Sequence, residues 1–458
     1  MNLTTSSKSR PNVLFLIADD HRFQALRSNG DPDVQTPTLD ALAARGVSFQ
    51  STYIHGGCSP AVCVPSRAAV NTGVNPFRAQ VSSPGDGTPR YSQVQSGQIR
   101  PDLATMGETF RRAGYRTFAT GKWHNDKAAF HRSFGAAGNV FFGGMCDHAR
   151  VPVQDFDPSG AYGSDRERIG AGDSTELFAE AAIGFLRTKK PAEPFFLYAA
   201  FTAPHDPRTP PEKYRGMYPV ESVKLPPNHL AEHPFDNGEL RIRDELLAAQ
   251  PREAAEVKRH LAEYYGMISH LDEQIGRILV ALCETGQAED TIVVYVADHG
   301  LSVGQHGLMG KQNLYDHSIR VPMILAGPGV PAGARPEGLV YSHALFPTLC
   351  ELAGIDIPGT VETQSLTGAW QPGAVGAESV FAAYKNLQRM LRRGPWKLIE
   401  YTVPGEPPRR QLFELESDPW EMRNLAEEPA QRQRVEGMSA ELERKRSEFG
   451  APPAAVSP

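Results

Sequence analysis

Four short runs, Val13–Ala18, Arg116–Thr120, Pro194–Phe201 and Thr291–Ala297, are rich in β-branched or aromatic residues and are separated by longer stretches of helical pattern. This alternation restricts the fold more than any other feature, because it is the pattern of an α/β fold with a mostly parallel sheet covered by helices. The clearest helix lies within Arg252–Gly286, where Val257, Leu261, Tyr264, Ile268, Leu271, Ile275, Ile278 and Leu282 recur three or four residues apart. One face of it should pack on the sheet and deliver the chain to the strand at Thr291–Ala297. Residues 1–365 read as this α/β domain.

Around Gly359–Gly376 the sequence turns to Gly, Thr, Gln and Pro, as expected of a linker. Strand patterns at Ser379–Tyr384, Trp396–Tyr401 and Gln411–Leu415 and a charged helix from Pro429 to Glu448 follow, so residues 366–458 read as a small α+β domain with a disordered Ala/Pro tail. With 458 residues, 40% apolar and 22% charged, the chain is neither a disordered polymer nor a single small binding module. A net charge of −6 gives it no global attraction to nucleic acid or anionic lipid. No run reaches the roughly 20 apolar residues of a membrane span, and Met1–Arg10 lacks a signal-peptide core. The expected location is cytoplasmic for the sequence as written, or periplasmic or secreted if a leader has been removed. Five cysteines in so long a chain do not form a disulfide framework and are taken as reduced.

Asp19 and Asp20 directly follow the first strand, at the carboxyl end where open α/β sheets place their ligand sites. An isolated Asp-Asp pair reads first as a turn or helix cap. Here Asp298 and His299, before Gly300, end another strand in the same way, so three carboxylates and an imidazole can meet at one point. Such an oxygen-rich set suits Ca²⁺, Mg²⁺ or Mn²⁺ better than zinc. A third feature is the run from Cys63 to Gly73, where Pro65 can start a helix and Gly73 can end it. Cys63 then sits at a helix N-terminus with Arg67 one turn behind, which favours a thiolate or a bound anion there. The alternative for Cys63, a buried structural thiol, is the ordinary one for a single cysteine.

Cys63-Val64-Pro65-Ser66-Arg67 followed by Thr72-Gly73 resembles the signature of the formylglycine-dependent sulfatases, within the alkaline phosphatase superfamily. The resemblance runs on through Asp19-Asp20, Gly121-Lys122-Trp123-His124, Pro204-His205, Asp298-His299-Gly300, Gly310-Lys311 and the C-terminal Leu412-Phe413-Glu414-Leu415, Asp418-Pro419 and Asn424-Leu425. It implies a sulfatase-like sandwich with a large, mostly parallel central sheet flanked by helices, and a small C-terminal domain. It also implies oxidation of Cys63 to formylglycine by a maturation enzyme. Asp19, Asp20, Asp298, His299 and the modified Cys63 would hold one divalent cation, Ca²⁺ first and Mn²⁺ or Mg²⁺ next. His299 stands where many relatives have Asn, and its softer nitrogen tilts the site away from a strict Ca²⁺ preference.

By the same resemblance, Cys63, Arg67, Lys122, His124, His205 and Lys311 form the catalytic set. A hydrated aldehyde carries two hydroxyls, one to attack sulfur and one to expel sulfate afterwards. Lys122 and Lys311 would neutralise the transferring group, His124 would assist the second hydroxyl, and His205 would protonate the leaving alcohol. The implied reaction is hydrolysis of a sulfate monoester, with a sulfated sugar as the leading substrate. A phosphonate monoester or phosphodiester hydrolase and a catalytically silent binding protein are the rivals. Asn71 and Asn125-Asp126 depart from the family pattern, and are read as affecting helix packing or maturation and as part of the substrate rim, respectively. His21, Arg22, Trp123, Asp206 and Arg208 flank the set, either as contacts to the alcohol portion or as ordinary surface salt bridges. Cys58 is assigned a structural role.

Overall fold

The computed structural model describes residues 10–84, 93–188, 193–371 and 374–455. The central sheet holds β1 (Asn12–Ala18), β2 (Val47–Ser48), β3 (Arg116–Lys122), β4 (Ala136–Phe141), β5 (Phe195–Ala200), β6 (Thr291–Ala297) and β7 (Met323–Ala326). Its seven strands lie in the order β2-β7-β6-β1-β5-β3-β4. The neighbours from β6 to β4 are parallel, and β7 pairs antiparallel with both β6 and β2. All four strands expected from the sequence are thus adjacent and parallel, and their carboxyl ends share one edge.

Side-chain alternation along β1 divides the core into two layers. Val13, Phe15 and Ile17 pack on one face with Ala68 and Val70 of α2 (Cys63–Thr72). Leu14, Leu16 and Ala18 face the other way, toward α1 (Pro37–Ala44), α3 (Ser174–Thr188) and α4 (Ala254–Glu284). The periodic residues Leu271, Ile275, Ile278 and Leu282 of α4 form its sheet-facing stripe. The result is a three-layer α/β/α sandwich, and among the described residues no helix is long and apolar enough to cross a membrane.

A second sheet contains β8 (Ser379–Tyr384), β9 (Gln388–Arg393), β10 (Trp396–Tyr401) and β11 (Arg409–Glu414), all antiparallel. Gly56–Gly57, which lies just before the Cys63 helix, adds a short parallel edge strand to β8. Phe381, Leu391, Leu398 and Leu412 cover one face of this sheet beneath α5 (Arg432–Phe449), while Val380, Met390, Ile399 and Phe413 pack on the other face with Tyr53 and Tyr315.

Two sequence expectations change here. The segment read as a linker is packed, because Leu366 and Trp370 are buried in the core and Glu362 bonds Asn75 and Arg78; residues 372–373 lie outside the described part. The tail read as disordered is tied down as far as it is described: Ala451 is buried and the Ala455 N–H donates to the Asn386 carbonyl.

Candidate active site

Registered pairing of Ala18 with Ala297 aligns the ends of β1 and β6, so Asp19 and Asp298 emerge side by side. Asp20 turns back with φ 69°, and the turn is held by Tyr264, whose hydroxyl donates to the Asp20 carbonyl at 2.6 Å. β3 ends at Lys122, and its Nζ bonds Asp19 and reaches Cys63 Sγ at 3.7 Å and the Gly144 carbonyl at 2.6 Å. β5 leads into the loop that carries His205. The four strand ends therefore converge on the N-terminus of α2, where Cys63 is the first helical residue and Gly73, at φ 67°, caps the other end.

All ten predicted site residues meet at this point. His299 Nδ1 lies 3.1 Å from Asp20 Oδ1, and its Nε2 lies 3.6 Å from Asp19 Oδ1 and 3.5 Å from Asp298 Oδ1. Lys311 Nζ donates to Asp20 Oδ1 at 2.8 Å, and His205 Nε2 is 3.9 Å from Asp20 Oδ2. His124 Nδ1 lies 3.1 Å from Cys63 Sγ. Arg67 stands behind the others, fully buried, and donates from Nε to Asp298 Oδ2 and from NH1 to the Lys122 carbonyl, both at 2.7 Å. It joins the two strand ends and touches no part of the opening, so its place is that of a positioning residue.

The charges are strongly coupled. Burial works to raise the Cys63 pKa, but His124, Lys122 and Lys311 together pull it well below the ordinary thiol value. Burial also opposes ionisation of Asp19, and Lys122, His205, Arg67 and Lys311 overcome it, holding that carboxyl well below its usual range. Asp298 is pushed up to about 6 by burial and by the neighbouring Asp19 charge.

Asp19 Oδ1, Asp20 Oδ2 and His299 Nε2 are buried without a hydrogen-bond partner among the described residues. Buried polar atoms are nearly always partnered. Ligand atoms of Asp19, Cys63, Asp298 and His299 lie within 4.8 Å of one another, and so do those of Asp19, Asp20 and His205. Three carboxylates, an imidazole and orphaned atoms aimed together fit a hard divalent cation.

The set opens into a cavity of about 280 Å³ lined by Cys63, His124, His205 and Lys311, with Gly144, Met145, Arg243, Asp244 and Gln312 at its wall. Sequence reasoning missed this wall. Arg243 bonds both Asp206 and Asp244, and Gln312 bonds Asp244 at 2.8 Å. No motif marks Arg243, which opens the short 3-10 helix Arg243–Leu247 between β5 and α4.

Several flanking candidates are placed elsewhere. His21 bonds Ala25 and Tyr295, Arg22 bonds Ser302 and Tyr265, Trp123 packs on Phe130 and Tyr198, and Arg208 bonds His260; all are buried and outside the cavity lining. Asp206 acts on the wall through Arg243. The departures from the family pattern are internal: Asn71 donates to the Arg67 carbonyl, Asn125 to the Val64 carbonyl, and Asp126 caps the helix Lys127–Ser133. Asn125-Asp126 is therefore a brace for α2 and its neighbour and not a substrate rim.

Residues 11–355 match the family model described as sulfatase. The chain belongs to the sulfatase family. It is a sulfuric ester hydrolase by class, and residues 304–448 also match the model of the C-terminal part of N-sulphoglucosamine sulphohydrolase. An arylsulfatase of Clostridium perfringens is 29% identical over 93% of this chain and 92% of its own length. Among solved structures, a protein in complex with its substrate D-glucosamine-2-N,6-O-disulfate superposes with TM-score 0.79 at 20% identity, covering 96% of this chain and 98% of that one. The phosphonate monoester hydrolase of Agrobacterium radiobacter superposes with TM-score 0.75 at 22% identity, covering 96% of each chain. These likenesses agree with the α/β sandwich and antiparallel C-terminal sheet described above.

Proposed function

We propose that this sulfatase hydrolyses a sulfate monoester on a carbohydrate, at residue 63 after its thiol has been oxidised to formylglycine by a maturation enzyme. One divalent cation would be held by Asp19, Asp20, Asp298, His299 and residue 63, with Ca²⁺ first and Mn²⁺ or Mg²⁺ next. The observation that carries this reading is the position of Cys63 Sγ, between His124, Lys122 and the unpartnered carboxylate and imidazole atoms, at the inner end of an open cavity.

The cation, when bound, supplies Lewis acidity toward the sulfuryl oxygens and the attacking hydroxyl. Lys122, fixed by Asp19 and 3.7 Å from Cys63 Sγ, and Lys311, fixed by Asp20 in the cavity lining, already have their charges in place for the transferring group. His124 Nδ1 lies 3.1 Å from Cys63 Sγ, within reach of a hydroxyl proton on the residue 63 side chain. The Nδ1 of His205 is engaged by the Asp206 carbonyl at 2.7 Å, which leaves Nε2 as the atom to hold a proton for the leaving alcohol. Support for a sugar comes from the substrate named for the similar glucosamine-disulfate complex and from the C-terminal family model.

Phosphonate monoester hydrolysis is the second reading, supported by the similarity to the Agrobacterium enzyme. Turnover of matched aryl sulfate and aryl phosphonate esters separates the two: the sulfate should be preferred, and a large phosphonate preference defeats the first reading. Mass spectrometry of the peptide Gly46–Arg67 should find aldehyde in place of thiol at residue 63. Cys63→Ala should abolish turnover while leaving the unfolding midpoint nearly unchanged; retained activity would remove Cys63 as the nucleophile's precursor. A silent binding protein should have lost part of this set, and all of its members are present and assembled.

A further inference from the structure

Arg389 lies on β9, where successive side chains face opposite sides of the sheet. Its neighbour Gln388 points toward the catalytic domain and donates to the Gln312 carbonyl. Arg389 points the other way, toward α5. Cross-strand register places it beside Glu400 on β10, and Glu400 beside Arg410 on β11, so the three form a transverse row of cation, anion and cation.

The carboxylate at the centre of this row is already committed. Glu400 Oε1 accepts from Arg410 Nε at 2.9 Å and from the Ser439 hydroxyl at 2.7 Å, while its Oε2 is 3.7 Å from Arg389. Glu443 is also 3.7 Å from Arg389, and it is held by Arg446 at 2.7 Å. Both approaches to Arg389 are too long for hydrogen bonds. The Arg389 side chain is only 7% exposed, and its Nε is sealed without a partner among the described residues. A guanidinium has five donors in a planar fork and is rarely buried with so little to bond.

The same side chain lines a cavity of about 570 Å³, in which the three guanidinium groups of Arg389, Arg409 and Arg410 outnumber the two carboxylates of Glu400 and Glu427, beside Thr402 and the rings of Phe235 and Tyr401. We propose that this cavity is an oxyanion-binding site, in which Arg389 and Arg410 take a sulfate or carboxylate group. The geometry of a guanidinium matches either group through paired N–H···O bonds. Burial lowers the Arg389 pKa against the pull of Glu400 and Glu443, the direction expected when these carboxylates do not fully compensate the charge. Arg389, Glu400 and Arg410 lie on the opposite face of the C-terminal sheet from Gln388, the cavity also takes in Tyr401 and Arg409 from the other face, and it shares no lining residue with the catalytic cavity. It does not depend on which ester is hydrolysed.

Calorimetric titration of the full-length protein with inorganic sulfate and, separately, with glucuronate tests the proposal. For at least one of these probes, the titration should contain a saturable event that Arg389→Met abolishes and Arg410→Ala weakens roughly threefold or more. Loss with sulfate assigns a sulfate-type ligand, and loss with glucuronate assigns a carboxylate. Both variants should keep turnover of a small aryl sulfate, since neither residue touches the catalytic set. Arg389→Met should also unfold at an equal or higher temperature in buffer free of both anions, because it removes a poorly compensated buried charge. The proposal fails if neither probe gives such an event or if the event persists unchanged in Arg389→Met.

Discussion

Arg67 has no contact with the cavity, and its importance comes from the two groups it joins. Its Nε fixes Asp298 and its NH1 fixes the carbonyl at the end of β3, so one planar side chain sets the separation of two site-bearing strands. Lysine can keep the charge but cannot bond in both directions with fixed geometry. Arg67→Lys is therefore expected to lower activity or cation affinity about 10- to 100-fold, the usual cost of disturbing a partner of a metal ligand. Turnover measured against added divalent cation checks this, and a variant with unchanged cation dependence and rate would refute it. At this scale the sequence was readily legible wherever a functional residue directly followed a strand, because Asp19, Asp20, Asp298 and His299 inherit their position from the sheet. Arg243 and Asp244 were not legible, since they are brought to the cavity wall by a five-residue 3-10 helix, Arg243–Leu247, too short to leave a periodic signal. Asn125 and Asp126 looked like rim residues because sequence adjacency to His124 says nothing about direction; one turns to α2 and the other caps a helix.

The elements that carry the site are held by close backbone approach. Gly121, at φ 87°, sits near the end of β3 beside β5, and a Cβ there would come within 1.8 Å of the Ala200 carbonyl oxygen. The conformation is also unfavourable for any residue with a side chain. Gly121→Ala must therefore push β3 and β5 apart and carry Lys122 away from Asp19 and Cys63. Its expected cost is about 3 kcal/mol or more in unfolding free energy, with a larger fractional loss of turnover than of stability-limited yield. Urea unfolding together with rate measurements on the soluble fraction tests this; wild-type stability and rate would show that the strands tolerate the separation. Among the apolar strands, Thr291–Ala297 was predicted with its observed limits and Val13–Ala18 and Pro194–Phe201 to within a residue at an end, whereas the four-residue Met323–Ala326 was missed because it is too short to show a period. Less apolar strands were missed as well. Ala136–Phe141 begins with small residues, and Gln388–Arg393 alternates Met390 against the core with arginines on its other face, so charge hid the strand that carries Arg389.

Across the whole molecule, the packing that builds the site also buries histidines far from it. Burial is the largest cause in each case: His233 and His343 are lowered to about 4, and His306 to about 3. All three are buried and stay neutral in the fold near pH 5. In the unfolded chain they titrate near 6.5. Below that value the unfolded state takes up protons that the native state refuses, so their stabilising contribution is complete above about pH 6.5 and is lost as pH falls toward 4 and 3. Glu421, raised to about 7 by burial, and Asp272, raised to about 6 by burial, act in the opposite direction, favouring the fold at lower pH. Asp298, pushed up to about 6, joins these two, but His21, lowered to about 4, and His260, lowered to about 3, join the histidines, so the lowered histidines outweigh the raised carboxyls and unfolding temperature should fall between pH 6.5 and 4.5. His343 isolates the effect, because its ring packs beside Tyr341 and His55 and a phenyl ring can replace it. At pH 5 its neutral burial costs about 2 kcal/mol relative to pH 7.5, by linkage between its folded and unfolded values. His343→Phe should therefore lose less stability than the wild type across that interval by about this amount. Parallel urea titrations at the two pH values measure the difference directly, and identical pH dependence in the two proteins would mean that His343 takes up its proton at the same pH in the fold as in the unfolded chain.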